Sequence, residues 1–188
     1  MTSKKFSFQT LLQTLEEESM KPVSDRVCKT LRLAYDGHRG QFRDARTPNV
    51  RIPFVVHPVG TARLAIKYFP IVEHKLDDDL ETVVCIALTH DLLEDTQTDT
   101  LVLEEIAGPK VCLAVEALTK PPAGVIGKAK DIRNREFIDQ IIEAGPSAVY
   151  VKMCDSMHNM SRPNMTPPRL FRKVVEKAEE LYLPLLLR

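Results

Sequence analysis

The sequence predicts an all-α fold, a multi-helix globule. Three observations carry this. Apolar residues recur at helical spacing along most of the 188 residues. No set of alternating apolar and polar runs provides several strands. The clearest breaks, TKPPAGVIGK (119–128) and RPNMTPPR (162–169), concentrate Pro and Gly between helix-like stretches. Neither break leaves a flank long enough to bury its own core, so residues 1–188 are expected to form a single domain.

The elements follow in order. Phe8, Leu11, Leu12 and Leu15 form the first apolar stripe. A second helix is expected from about Asp25, read as its N-cap, through Val27, Leu31 and Ala34 to the region of His38. The next stretch, GHRGQFRDARTPNVRIPFVVHP, is rich in Gly, Arg and Pro and reads as an extended loop. It ends where Pro58 opens a helix from His57 to about Tyr68. One helix is then expected through LDDDLETVVCIALTHDLLEDT (76–96), with acids near its start as the helix dipole favours. Further helices are expected at about 100–107, 109–119, 130–143, 146–160 and 167–182.

Composition narrows the function classes. Hydrophobic residues make up 44% and charged residues 28%, as in an ordinary globular protein. Lys+Arg and Asp+Glu number 26 each, which argues against a nucleic-acid-coating role but leaves room for a local basic pocket. No window approaches the roughly 18 apolar residues of a membrane span, and the N-terminus lacks the apolar run of a signal peptide. The apolar tail LYLPLLLR is split by Pro184 and is expected to dock on the domain or on a neighbouring subunit, which leaves a homo-oligomer open. Cys28, Cys85, Cys112 and Cys154 lie far apart without a C-x-x-C, so buried, reduced thiols in a cytoplasmic protein are the simplest expectation.

Chemistry concentrates in ALTHDLLEDT (87–96). The stripe of positions 80, 83, 84 and 87 continues through Asp91 to Glu94 and Asp95, and Glu94 lies four residues after His90. Inward-facing carboxylates cost several kcal/mol each unless compensated. A divalent cation offsets two carboxylates and uses a neutral imidazole as ligand. Further ligands must come from elsewhere. His57 sits between an apolar run and a helix start. AVYVKMCDSMHNM (148–160) is apolar on nearly all sides yet carries Lys152, Asp155, His158 and Asn159, with Asp155 and Asn159 one turn apart. A hard set of nitrogen and oxygen donors suits Mn²⁺, Fe²⁺ or Zn²⁺.

These residues resemble the HD-domain phosphohydrolases, marked by an adjacent His-Asp on a helix, a preceding His and a later Asp. The finer match is to the hydrolase domain of Rel/SpoT-type alarmone enzymes. HRGQFR (38–43), PFVVHPVGTARL (53–64), ALTHDLLEDT (87–96), VEALTK (115–120) and VKMCDSMHNM (151–160) resemble five successive blocks of that domain, over roughly residues 25–185. The resemblance implies an HD-domain globule, a single-domain small alarmone hydrolase. It implies that His57, His90, Asp91 and Asp155 bind Mn²⁺, and that Glu94 and Asp95 position and deprotonate the attacking water. It implies that Arg43 packs on the nucleotide base and that Asn159 contacts the ribose side. His38 and His158 fall at positions the family does not use as ligands, so hydrogen-bonded packing is expected for them.

The implied reaction is hydrolysis of the 3′-pyrophosphate of guanosine tetra- or pentaphosphate, giving GDP or GTP and pyrophosphate. Arg39, Arg43, Arg46 and Arg51 could neutralise phosphates, although a solvated surface is expected for at least two of them. Two departures alter the pocket. Asp44 stands where the family has Lys or Arg, and Ser156 replaces a basic residue. An adenosine alarmone, NADPH or a nucleoside monophosphate is therefore the alternative substrate. A silent nucleotide sensor is the rival class, and would be expected to lack a ligand or the Glu-Asp pair.

Overall fold

A computed structural model describes residues 6–43, 51–120 and 130–161, with 172, 175 and 176. The helices are α1 (Phe8–Ser19), α2 (Asp25–Gly37), α3 (Val56–Val72), α4 (Leu80–Thr89), α5 (Leu92–Asp95), α6 (Thr100–Ala107), α7 (Pro109–Leu118), α8 (Lys130–Glu143) and α9 (Pro146–Met160). The expected all-α class holds. The expected 167–182 helix lies largely outside the described residues, as do Asp44, Arg46, most of both Pro-rich breaks and the LYLPLLLR tail.

Local chemistry explains the helix starts. The hydroxyls of Ser7 and Ser24 accept the amides of Thr10 and Val27, and the Asp79 carboxylate accepts that of Thr82. Each satisfies an amide that the first turn cannot. The N-cap of α2 is thus Ser24, one residue before the expected Asp25. The helix containing His57 is longer than expected and starts at Val56, so Pro58 lies inside its first turn, where its missing N–H costs nothing.

The centre is made by α3 and α4, which pack on each other. Helix α9 closes over α3, and α1 and α2 cover the opposite sides. Every residue of α4 from Thr82 to Thr89 is buried, so this helix is surrounded rather than striped. Tyr150 of α9 donates its hydroxyl to the Ala65 carbonyl of α3 at 2.8 Å. The start of α9 is anchored by Asp77, whose carboxylate accepts the Ser147 hydroxyl at 2.8 Å. Gly145 precedes it at φ 105°, and a Cβ there would meet the same carboxylate at 2.7 Å.

Two differences from expectation matter for the site. The stretch before α3 folds back as a short antiparallel pair, with Phe42 opposite Pro53 and Arg43 opposite Ile52. Two residues per strand leave no periodic signal, so the sequence alone reads as loop here. The single helix expected over 76–96 is instead broken at His90–Asp91 into α4 and α5. Thr89 donates its hydroxyl to the Cys85 carbonyl, and His90 Nδ1 bonds the Ala87 carbonyl at 2.8 Å. These side chains compete with backbone amides for helix carbonyls and end α4. Asp91 takes φ −100°, ψ −4°.

Candidate metal centre and active site

Three separate segments converge. His57 comes from the first turn of α3, His90 and Asp91 from the break after α4, and Asp155 from the third turn of α9. His57 Nε2 lies 3.0 Å from Asp155 Oδ1 and 3.3 Å from Asp91 Oδ2. His90 Nε2 lies 3.1 Å from Asp91 Oδ2 and 3.7 Å from Asp155 Oδ1. His57, His90 and Asp155 are buried and form a group that can hold one ion, with Asp91 reaching both imidazoles.

The donor set fits a small divalent cation. Bonds of about 2.0–2.2 Å put neighbouring ligand atoms about 3 Å apart or slightly more, as these are. Among the described residues, His90 Nε2 is buried without a hydrogen-bond partner, while its Nδ1 is held by the Ala87 carbonyl. That bond holds the ring so that Nε2 points into the cluster, where it can offer a lone pair to a cation once deprotonated.

The charges are mutually adjusted. Burial pushes the His57 imidazole down, against the pull of Asp155, and keeps it neutral. Burial also opposes charge on His90, yet Asp91 and Asp155 outweigh it and push the imidazole up to about 10. Burial works against both carboxylates. His90 nevertheless holds Asp91 down at about 2, and Lys152 with the two imidazoles holds Asp155 well below the usual range. With no cation bound, a proton on His90 thus offsets the carboxylates. A divalent cation held there by these residues would offset the same carboxylates in place of that proton.

Asp155 is tied on both oxygens. Lys152 donates to Oδ2 at 2.8 Å, and Asn159 Nδ2 donates to Oδ1 at 2.7 Å. Asn159 Oδ1 in turn accepts from Arg43 at 2.6 Å. Arg43 and Asn159 therefore stand in line from the rim to the cluster, with Arg43 set by the short strand pair. Arg39 pairs with Asp36 on the exposed surface, and Arg51 lies over the Phe42 ring at 4.6 Å.

Glu94 and Asp95 depart from the inward-facing expectation. The break at His90–Asp91 turns α5 onto the surface, and only Leu92 of that helix is buried. Both acids are exposed, so the stripe does not continue inward past Asp91. Glu94 accepts the Lys120 amide at 3.3 Å. The Asp95 carboxyl is pushed up to about 6, first by desolvation and then by the charges of Asp91 and Glu94.

His38 and His158 are buried, as expected of packing residues. His38 Nδ1 bonds Gln41 at 2.8 Å and its ring lies on Phe54. His158 does more than pack, because its Nδ1 lies 2.8 Å from Nδ1 of His57. The sequence alone does not reveal that Lys152 and His158 bond directly to this cluster. The available signal was their spacing: both lie three residues from Asp155 on one helix. Ser156 is buried and turns its hydroxyl to the Lys152 carbonyl.

No family model matches the chain. It is 29% identical over 182 residues to the bifunctional (p)ppGpp synthase/hydrolase SpoT of Escherichia coli, covering 95% of this chain and 23% of that protein. It is 28% identical over 155 residues to the guanosine-3′,5′-bis(diphosphate) 3′-pyrophosphohydrolase of Haemophilus influenzae, covering 81% and 21%. The chain thus spans under a quarter of the length of these curated relatives. Among solved structures, one described as a metazoan ortholog of SpoT that hydrolyses ppGpp superposes with a TM-score of 0.58 at 25% identity, covering 84% of this chain and 88% of that one. These likenesses support an HD-type Rel/SpoT hydrolase domain. The adjacent pair His90–Asp91 falls at the break between α4 and α5, where both side chains leave the helix toward α3 and α9.

Proposed function

We propose that the protein hydrolyses the 3′-pyrophosphate of guanosine tetra- or pentaphosphate, giving GDP or GTP and pyrophosphate. The observation that carries this is the cluster of two buried imidazoles and two carboxylates at ligand spacing, drawn from three segments. The relatives' names supply the substrate class. His57, His90, Asp91 and Asp155 would hold Mn²⁺ or another divalent cation. When bound, that cation supplies Lewis-acid neutralisation of phosphate oxygens.

The chain's own residues do the rest. Asp95, whose carboxyl sits near neutrality, accepts the proton of the attacking water, and Glu94 holds that water beside it. Arg43 receives the nucleotide base and Asn159 the ribose side, exchanging their mutual bond for the substrate. The enzyme works in the cytoplasm. Supporting this, no helix among the described residues is long and apolar enough to cross a membrane, and all four cysteines are free.

One observation favours a second substrate. Ser156, beside Asp155, brings no positive charge to the pocket. The test offers ppGpp, its adenosine counterpart and NADPH to the purified protein with Mn²⁺, with Asp91→Ala as control. Pyrophosphate and GDP from ppGpp, lost in the variant, are expected. Turnover of another nucleotide alone would move the substrate and keep the chemistry. Cation binding without turnover of any would replace the enzyme by a nucleotide sensor.

A further inference from the structure

We propose that His158 is a positioning residue that orients His57 for cation binding, and that Gly60 exists to admit its ring. The proposal rests on the cation reading above. The two rings lie 5.0 Å apart, tilted by 34°, with their Nδ1 atoms 2.8 Å from each other. Both residues are buried. Gly60 lies three residues after His57, on the same face of α3. A Cβ on it would stand 2.1 Å from His158 Nε2, 2.4 Å from Cδ2 and 2.8 Å from Cε1. No side chain at position 60 is compatible with the ring where it now lies, so the smallest residue and the imidazole form one device.

The chemistry explains why the partner is an imidazole. Two nitrogens 2.8 Å apart share one proton: one donates and the other accepts. Without a cation, His57 Nε2 faces Asp155 Oδ1 at 3.0 Å and donates its proton there. Its Nδ1 must then accept, and His158 donates. With a cation, Nε2 must offer a lone pair, so Nδ1 carries the proton and His158 accepts. A carbonyl or a carboxylate, the usual partners of a ligand histidine, only accepts. A neutral imidazole does both by changing tautomer. The proton balance closes. The Nε2 proton of His57 leaves to solvent, the shared proton moves from His158 Nδ1 to His57 Nδ1, and His158 Nε2 takes one proton from solvent.

The test reads affinity and tautomer, not turnover alone. Zn²⁺ binding is measured by calorimetry, and ring nitrogens are followed by ¹⁵N NMR with and without this diamagnetic cation. His158→Phe is expected to weaken Zn²⁺ binding about 10- to 100-fold, the range for loss of a ligand's outer partner. His158→Gln can donate or accept and is expected to stay within a few-fold. Gly60→Ala is expected to weaken binding in the parent, where it displaces the ring. It is expected to add little in a His158→Ala background, where no ring is left to displace. The His57 proton is expected to move from Nε2 to Nδ1 on loading.

Parent-like affinity in a folded His158→Phe protein, or a His57 proton that stays on Nε2 in the loaded state, would overturn the proposal and leave the cation reading standing. Failure of the parent itself to bind Zn²⁺ or Mn²⁺ would remove both. If His158→Phe does not fold, the Gly60→Ala cycle decides.

Discussion

The inner and outer halves of the site are made differently. The inner half, His57, His90, Asp91 and Asp155, hangs on α3, α4 and α9, the most deeply packed helices. Both oxygens of Asp155 are held, and both ring nitrogens of His90 are fixed in direction. The outer half, Arg43, Glu94 and Asp95, sits on a two-residue strand and a one-turn helix. Rigid packing suits a charge cluster that must bind one ion in one geometry. A thinly held, exposed rim suits groups that must meet water and exchange partners with a substrate. Under the function proposed above, the division separates the groups assigned to the cation from those assigned to the nucleotide and the attacking water.

The sharpest test removes an inner carboxylate. Asp155→Ala leaves Lys152 and the His90 proton facing a buried gap, and breaking such a pair costs about 3–5 kcal/mol. Thermal unfolding without added cation is expected to show this as a large fall in Tm. The same variant is expected to lose Mn²⁺ binding by calorimetry, and activity with it. A variant with unchanged Tm would mean that the inner half is not the electrostatic unit described here.

At the rim the same kind of change has the opposite sign. Asp95→Asn is expected to lower kcat by about 10²–10⁴, as for loss of a general base, with Mn²⁺ affinity nearly kept. Stability is expected to rise. The folded-state pKa of Asp95, about 6, lies above its ordinary value of 3.8. Its stabilising contribution is thus full below the unfolded value and lost as pH rises through about 6. At pH 7 the ionised side chain is a burden that Asn removes. Because the group is exposed and screened, the gain is only about 1 kcal/mol or less. Higher Tm with lower kcat in one variant would separate the two halves more sharply than either value alone.

The acid limb of the pH profile follows. Activity is expected to fall about tenfold per pH unit below the pKa of Asp95, because the base must be ionised. The cation beside it favours ionisation, so the limb in the loaded enzyme is expected below pH 6. Its loss in Asp95→Asn checks the assignment. A limb that survives in that variant belongs to another group.

The contrast also explains what the sequence revealed. Most helices are legible because their apolar residues recur at helical spacing, and α1, α2, α4 and α6 also carry a capping side chain. The inner cluster is legible because polar residues inside an apolar stretch demand compensation, as Asp155 does between Cys154 and the next turn. The break at His90–Asp91 was not. It arises from side chains bonding backward to Cys85 and Ala87, which leaves no trace in hydrophobic periodicity. The exposure of Glu94 and Asp95 follows from that break and was missed with it. The strand pair behind Arg43 was too short to show a period, and the bond between His57 and His158 joins residues 101 positions apart.

The smallest expected effect concerns Arg43. Its bond to Asn159 links the halves, since Asn159 also donates to Asp155. If the link is only a resting contact, Arg43→Ala raises KM for ppGpp by about tenfold, near the roughly 1.5 kcal/mol of a charge-assisted bond, and leaves kcat and Mn²⁺ affinity unchanged. If Arg43 instead helps hold Asp155 through Asn159, Mn²⁺ affinity falls as well. The two other holds on Asp155, Lys152 and the imidazoles, favour the first outcome. Titrating Mn²⁺ into Arg43→Ala without nucleotide separates the two, because no substrate is then present to report on the rim.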